Sequence, residues 1–223
     1  MKPALATVFA SALFAFAPAA RSNPRAPTAP SSTISLLSDR TLSDWRLVTT
    51  PAASITKVCR LDPDGVLWIA GRPGGFLQTT TAVSNFTLHV EWRWPGKPGN
   101  GGILVRISSG PKDRVWPLAY QIQLKHGFAG DILPMAGAAF ATLLSTPPGA
   151  RIPIRSHLMP DSERPPGDWN ACDITCQGGE LLVSVNEVLQ NRIEGCVLKS
   201  GQIGIQFEGT PMEFRNLRVT PLP

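Results

Sequence analysis

The stretch FTLHVEWRW, residues 86–94, alternates without a break. Leu88, Val90, Trp92 and Trp94 fall on one side, and His89, Glu91 and Arg93 on the other. Side chains two apart share a face only in an extended chain, so this segment reads as a half-buried β-strand. Its neighbours follow the same rule. VLWIA (66–70) leaves the turn DPDG, and GILVRIS (102–108) follows the turn cluster PGKPGNGG. In YQIQLKH (120–126), Tyr120, Ile122 and Leu124 oppose Gln121, Gln123 and Lys125. CDITCQ (172–177) and ELLVSVN (180–186) are joined by Gly178-Gly179, a hairpin signal. GQIGIQFE (201–208) and MEFRNLRVT (212–220) read as a second pair around Gly209-Thr210-Pro211. No segment holds a helical period. Many strands with short turns, in a chain carrying 20 Gly and 22 Pro, predict an all-β jelly-roll sandwich in one domain. On that reading Trp45, Trp68, Trp92 and Trp94 are core, while Trp116 and Trp169 lie near loops where they can stack on a ring.

The first 20 residues read as a secretory signal peptide: Lys2, an apolar run from Leu5 to Ala17, and the small-x-small site Ala17-Pro18-Ala19. That run is too short to span a bilayer, and no other segment is long and apolar enough. Residues 21–33, rich in Pro, Ala and Ser, read as a flexible tether, and 34–223 as the domain. The expected location is therefore periplasmic or extracellular. Four cysteines in an oxidising compartment allow three complete pairings, of which Cys176 with Cys196 is favoured. A formal charge of +5 with scattered Lys and Arg argues against nucleic-acid binding, which usually shows a basic stripe. Zinc is disfavoured because no paired CxxC occurs and His is scarce; a divalent cation such as Ca²⁺ has oxygens available but no ligand spacing.

The blocks WRLV, DGVLWIAG, NFTLHVEWRWPGKPGNGGILVRI, VWPLAYQIQL, AGDI, PPGDWN and GQIGIQFEGTPMEFRNLRVTPL occur in that order. Together they resemble the 3-keto-disaccharide hydrolase domain, also catalogued as domain of unknown function 1080. The resemblance covers roughly residues 36–222 and implies a concanavalin-like jelly roll acting on, or binding, carbohydrate. It further implies cleavage of glycosides oxidised to a ketone at C3, by hydrolysis or by elimination after removal of the C2 proton. That chemistry needs a base of suitable pKa and donors or positive charge near the enolate oxygen.

By matching position the resemblance nominates Glu91, on the polar side of its strand, and Asp131, in AGDI, as catalytic. His126, just past the polar row, joins them as an acid or base, since its unperturbed pKa lies near neutrality. Arg106, Gln121, Gln123 and Lys125 become the substrate-binding set. The family carries Glu where this chain has Gln121, and Gln121 cannot act as a base. Asn186-Glu187 replaces the family's Asn-Gly turn. Glu213, Arg215 and Asn216 read as structural. The long Pro-rich segment 146–168 reads as a loop of the kind that forms lids. A conventional two-carboxylate glycosidase needs an acid and a nucleophile or base at a set separation; sandwich glucanases often place theirs on one strand as E-x-D-x-x-E, and no such strand is present. The alternatives are a non-catalytic carbohydrate-binding module and a scaffold or cell-envelope interaction module.

Overall fold

A computed structural model describes residues 32–223. The expected signal peptide and nearly all of the expected tether lie outside the described residues. In chain order the elements are β1 (Ile34–Ser35), β2 (Trp45–Thr49), α1 (Ile55–Val58), β3 (Cys59–Leu61), β4 (Leu67–Ile69), β5 (Gly75–Thr79) and β6 (Phe86–Arg93). They continue with β7 (Asn100–Asp113), β8 (Trp116–Gln123), β9 (Ile132–Met135), β10 (Asn170–Gln177), β11 (Glu180–Val185), β12 (Val188–Ile193), β13 (Gln202–Glu208) and β14 (Met212–Pro221).

The strands form two antiparallel sheets. One has eight strands in the order β12-β11-β10-β6-β14-β4-β3, with β1 added beside β14. The other has six, in the order β2-β5-β13-β7-β8-β9. Their inner faces make the core. From β6 come Phe86, Leu88, Val90 and Trp92; from β8 come Tyr120 and Ile122, with Leu124 just beyond; all are buried. Burying each such side chain contributes on the order of 1.5–3 kcal/mol, which fixes the register, because a one-residue slip would expose the whole row. The jelly-roll sandwich expected from the sequence is therefore the fold.

Three expectations are corrected. β13 and β14 do not pair: β13 lies between β5 and β7 in one sheet, β14 between β6 and β4 in the other. The Gly209-Thr210-Pro211 turn carries the chain between layers rather than back along the same sheet. Cys176 and Cys196 form no disulfide; all four cysteines are buried free thiols. Burial pushes the Cys59 and Cys176 thiols up to about 12. Trp45 is core, but Trp68 is only half-buried and sits under the Arg60 guanidinium.

The 146–168 segment closes one side of the sandwich. It is tied down by buried amides rather than by a strand ladder. Asn191 donates to the carbonyls of Gly130, Arg155 and Ser156, and Gln190 to Pro160 O and Ser162 Oγ. Asn186, at the β11–β12 turn, donates to Ser162 O and Asn170 Oδ1. That turn keeps positive φ at both Asn186 and Glu187, so the Asn-Gly geometry survives without its glycine.

Candidate functional site

The outer face of the six-stranded sheet carries a convergence of side-chain amides. Gly102 on β7 lies between Gln123 of β8 and Gln206 of β13. It has no side chain, so Gln121 reaches across the gap. Gln121 Nε2 donates to Gln123 Oε1 at 2.7 Å and to Gln206 Oε1 at 3.1 Å. A Cβ at Gly102 would stand 2.8 Å from Gln121 Nε2. Both N–H groups of Gln121 are thus used. The Nε2 groups of Gln123 and Gln206 and the Oε1 of Gln121 have no protein partner among the described residues, and none is sealed from solvent.

This face is amphipathic along its length. Toward one end Asn100 donates to Glu208 Oε2 at 2.8 Å, one pair beyond the glutamines. Toward the other end Phe76, Leu104, Ile107 and Ala119 form a second apolar cluster, with Val48, Trp116 and Met135 packed alongside. A sugar ring presents hydroxyls at its edge and C–H groups on its face, and this pairing of amides with an apolar wall suits both. Trp116 belongs to that wall.

Asp131 adjoins Gln123 through the backbone: Gln123 N–H donates to Asp131 O at 2.8 Å, and Gly130 N–H to Gln123 O at 2.9 Å. The Asp131 carboxylate is buried, and its Oδ1 accepts the backbone N–H of His157 at 2.8 Å. His157 Nδ1 lies 2.6 Å from the same oxygen. In the tautomer whose Nδ1–H hydrogen-bonds to the carboxylate, Nε2 carries the free lone pair, the arrangement of an oriented general base. The His157 ring is one-fifth exposed. Sequence reading missed His157: it lies 26 residues from Asp131, and no local pattern joins them.

The remaining nominated residues are spread over the molecule. His126 is held by Glu163, not by Asp131, with Nδ1 at 3.0 Å from Glu163 Oε2. Glu163 is buried and also accepts Gly127 N–H and Trp94 Nε1–H. Lys125 is exposed, its ammonium 4.7 Å from the centre of the Phe128 ring. Arg106 is turned away from the glutamine face. Alternation along β7 would put it on the outer face with Gly102 and Leu104, but its φ of +54° falls at a bulge. The guanidinium enters the interior and donates to Leu198 O at 2.8 Å.

Glu91 lies on the other sheet, facing outward from the opposite side of the sandwich. It accepts from Arg215 Nε at 2.7 Å and from Asn216, and His89 Nε2 stands 3.7 Å away. Partial burial pushes its pKa up, but the hydrogen bonds from Asn216 and Arg215 outweigh this and hold it below the ordinary carboxylate range. Glu213 pairs with Arg93 on the same face, and the guanidinium groups of Arg93 and Arg215 lie 4.6 and 4.1 Å from the centre of the Trp169 ring. The structure therefore does not unite Glu91 or Arg106 with Asp131 and the glutamines. Among the described residues no three His, Cys, Asp or Glu side chains gather as a metal site, and no helix is long and apolar enough to cross a membrane.

The sequence matches the 3-keto-alpha-glucoside-1,2-lyase-like domain over residues 32–220. The chain belongs to this family. Two solved structures from Parabacteroides distasonis, provisionally described as glycosyl hydrolases, resemble this lyase-like domain with a TM-score of 0.63 each. They share 16% and 17% identity, over 86% of this chain and 94% and 100% of theirs. A carbohydrate-binding module from Bacillus subtilis matches with a TM-score of 0.52 and 14% identity, over 79% of this chain and 95% of its own. Identities this low establish a common fold alone. No curated protein matches the sequence.

Proposed function

We propose that the chain is an exported carbohydrate-active protein that cleaves 3-keto-glycosides in the groove floored by Gln121, Gln123 and Gln206. The observation that carries this reading is the Asp131–His157 pair placed beside Gln123. Family membership and the glycosyl-hydrolase description of the Parabacteroides structures support it. His157 Nε2 takes the proton from C2 of the sugar, which the C3 ketone acidifies. The C2–H electrons form the enolate, whose oxygen is met by amide N–H groups of Gln123 or Gln206. Collapse of the enolate breaks the C1–O bond and leaves a C1=C2 double bond conjugated to the ketone. The departing oxygen collects a proton, and water adds later at C1 to complete net hydrolysis. Asp131 stabilises the imidazolium in the interval, and Lys125 supplies positive charge near the groove's polar end.

One observation favours a second reading. The floor offers amides where the family carries a carboxylate, so Gln121 leaves a surface suited to binding sugar without turnover. Purified mature protein incubated with a 3-keto-disaccharide, with the unoxidised sugar alongside, separates the two. Cleavage is expected from the ketone alone, falling by roughly 10²–10⁴-fold in His157→Gln, while Glu91→Gln retains it. Calorimetric binding without release makes the chain a binding module. Neither release nor binding defeats both readings.

A further inference from the structure

A second cleft of about 570 Å³ lies at the far edge of the eight-stranded sheet, away from the glutamine groove. The 40–42 turn, α1 and strands β3 and β4 enclose it. Its walls carry three cations, Arg40, Lys57 and Arg60, and no acid. Arg60 is paired with Asp62 at 2.6 Å, and Arg40 also helps to hold that carboxyl below the ordinary range, but neither Arg40 nor Lys57 makes an ion pair within 4.0 Å among the described residues. The nearby Asp39 is consumed locally by the hydroxyls and amides of Thr41 and Ser43, and Glu213 by Arg93.

The same cleft has an apolar side. Leu42 and Leu61 are buried, and Ile55 packs against the core. The half-buried Trp68 indole borders the cleft, with the Arg60 guanidinium 5.1 Å from its ring centre. Thr41 and Thr56 add hydroxyls. Like charges around a concavity repel one another, and a bound anion relieves that repulsion. Free phosphate or sulfate would use the cations alone. The Arg60–Trp68 stack and the apolar residues beside it add a border for the C–H groups of a ring, and the threonines add partners for its hydroxyls.

We propose that this cleft binds an acidic sugar residue, one bearing a carboxylate or sulfate, at a site separate from the groove of the other sheet. Arg40 and Lys57 hold the anionic group while the ring packs beside the Arg60–Trp68 stack. The site does not depend on turnover in the glutamine groove, so it stands whichever reading of that groove proves right.

Calorimetry on the mature protein tests it with trigalacturonate, its methyl ester, a sulfated disaccharide and inorganic sulfate. Trigalacturonate or the sulfated disaccharide is expected to bind, with affinity falling as salt rises. The neutral ester, and the Arg40→Gln/Lys57→Gln double variant with either acidic sugar, are expected to bind roughly tenfold or more weakly. Both changed residues are exposed, so the variant should keep the wild-type unfolding midpoint. A Gln123→Leu variant should bind acidic sugar as the wild type does. The proposal is overturned if neither acidic sugar binds, if the ester binds as well as the acid, or if the double variant is unaffected. It is also overturned if inorganic sulfate matches the sugars in affinity, because the site then reads charge without a ring.

Discussion

Gly102 has no side chain, and the glutamine network depends on that. A methyl group there would meet Gln121 Nε2 and Cγ and the carbonyl of Ile122, all within 2.9 Å. The carbonyl belongs to the paired strand and cannot swing aside. Gly102→Ala should therefore displace Gln121, break its bond to Gln206, and cost about 1–3 kcal/mol through overpacking. Denaturant unfolding read beside sugar-binding calorimetry checks this, and loss of binding larger than loss of stability is the expected pattern. Unchanged binding would mean that the Gln121 bridge does not shape the site. Arg106 makes a related point at one residue. Its left-handed φ inverts the side chain's direction, so a cation that strand alternation aims at the groove instead ties Leu198 O inside the sandwich.

The 146–168 segment has little regular structure of its own and is held by side-chain hydrogen bonds. Glu163 is its central anchor: one buried carboxylate accepts from Trp94 Nε1, Gly127 N and His126 Nδ1. Glu163→Ala removes the acceptor and leaves the Trp94 and Gly127 donors unpaired in a buried place, at about 1–3 kcal/mol. The loss should be local. Limited proteolysis is expected to cut between 146 and 168 faster than in wild type, while cleavage elsewhere keeps its rate. Equal protection of the loop would show that the amides of Asn186, Gln190 and Asn191 suffice. His157 lies on this same segment, so Glu163→Ala should also weaken turnover indirectly if His157 is the base.

For the whole molecule, the thiols give a direct check on how the two layers close. Cys59, Cys172, Cys176 and Cys196 are all buried and unpaired. Burial raises each thiol's pKa and so keeps it protonated and unreactive. A thiol-specific reagent should modify none in the native protein and all four after denaturation without reductant. Reductant should leave the thermal midpoint where it was. Fewer than four reactive thiols in denaturant would mean that a pair has been oxidised, with Cys176 and Cys196 the first to examine by peptide mapping.

Alternation is a local property, and it was enough to assign β4, β6, β7, β8, β10, β11, β13 and β14, the sandwich class and the inward rows of β6 and β8, because burying one face rewards a period of two wherever the chain runs; the shorter strands β1, β2, β3, β5, β9 and β12 went unread. It also put Gln121 and Gln123 on the outer face. The turn at Gly209-Thr210-Pro211 was legible as a turn, but turn chemistry does not say whether the chain returns within its sheet or crosses to the other layer; β13 and β14 cross. Glu91 and Asp131 are both plausible acids in sequence, and only the layering shows them on opposite sides of the core. Gln206 meets Gln121 from 85 residues away, and His157 meets Asp131 from 26. Contacts at that separation are set by how two sheets stack and how one long loop folds back, and no local pattern in the chain encodes them.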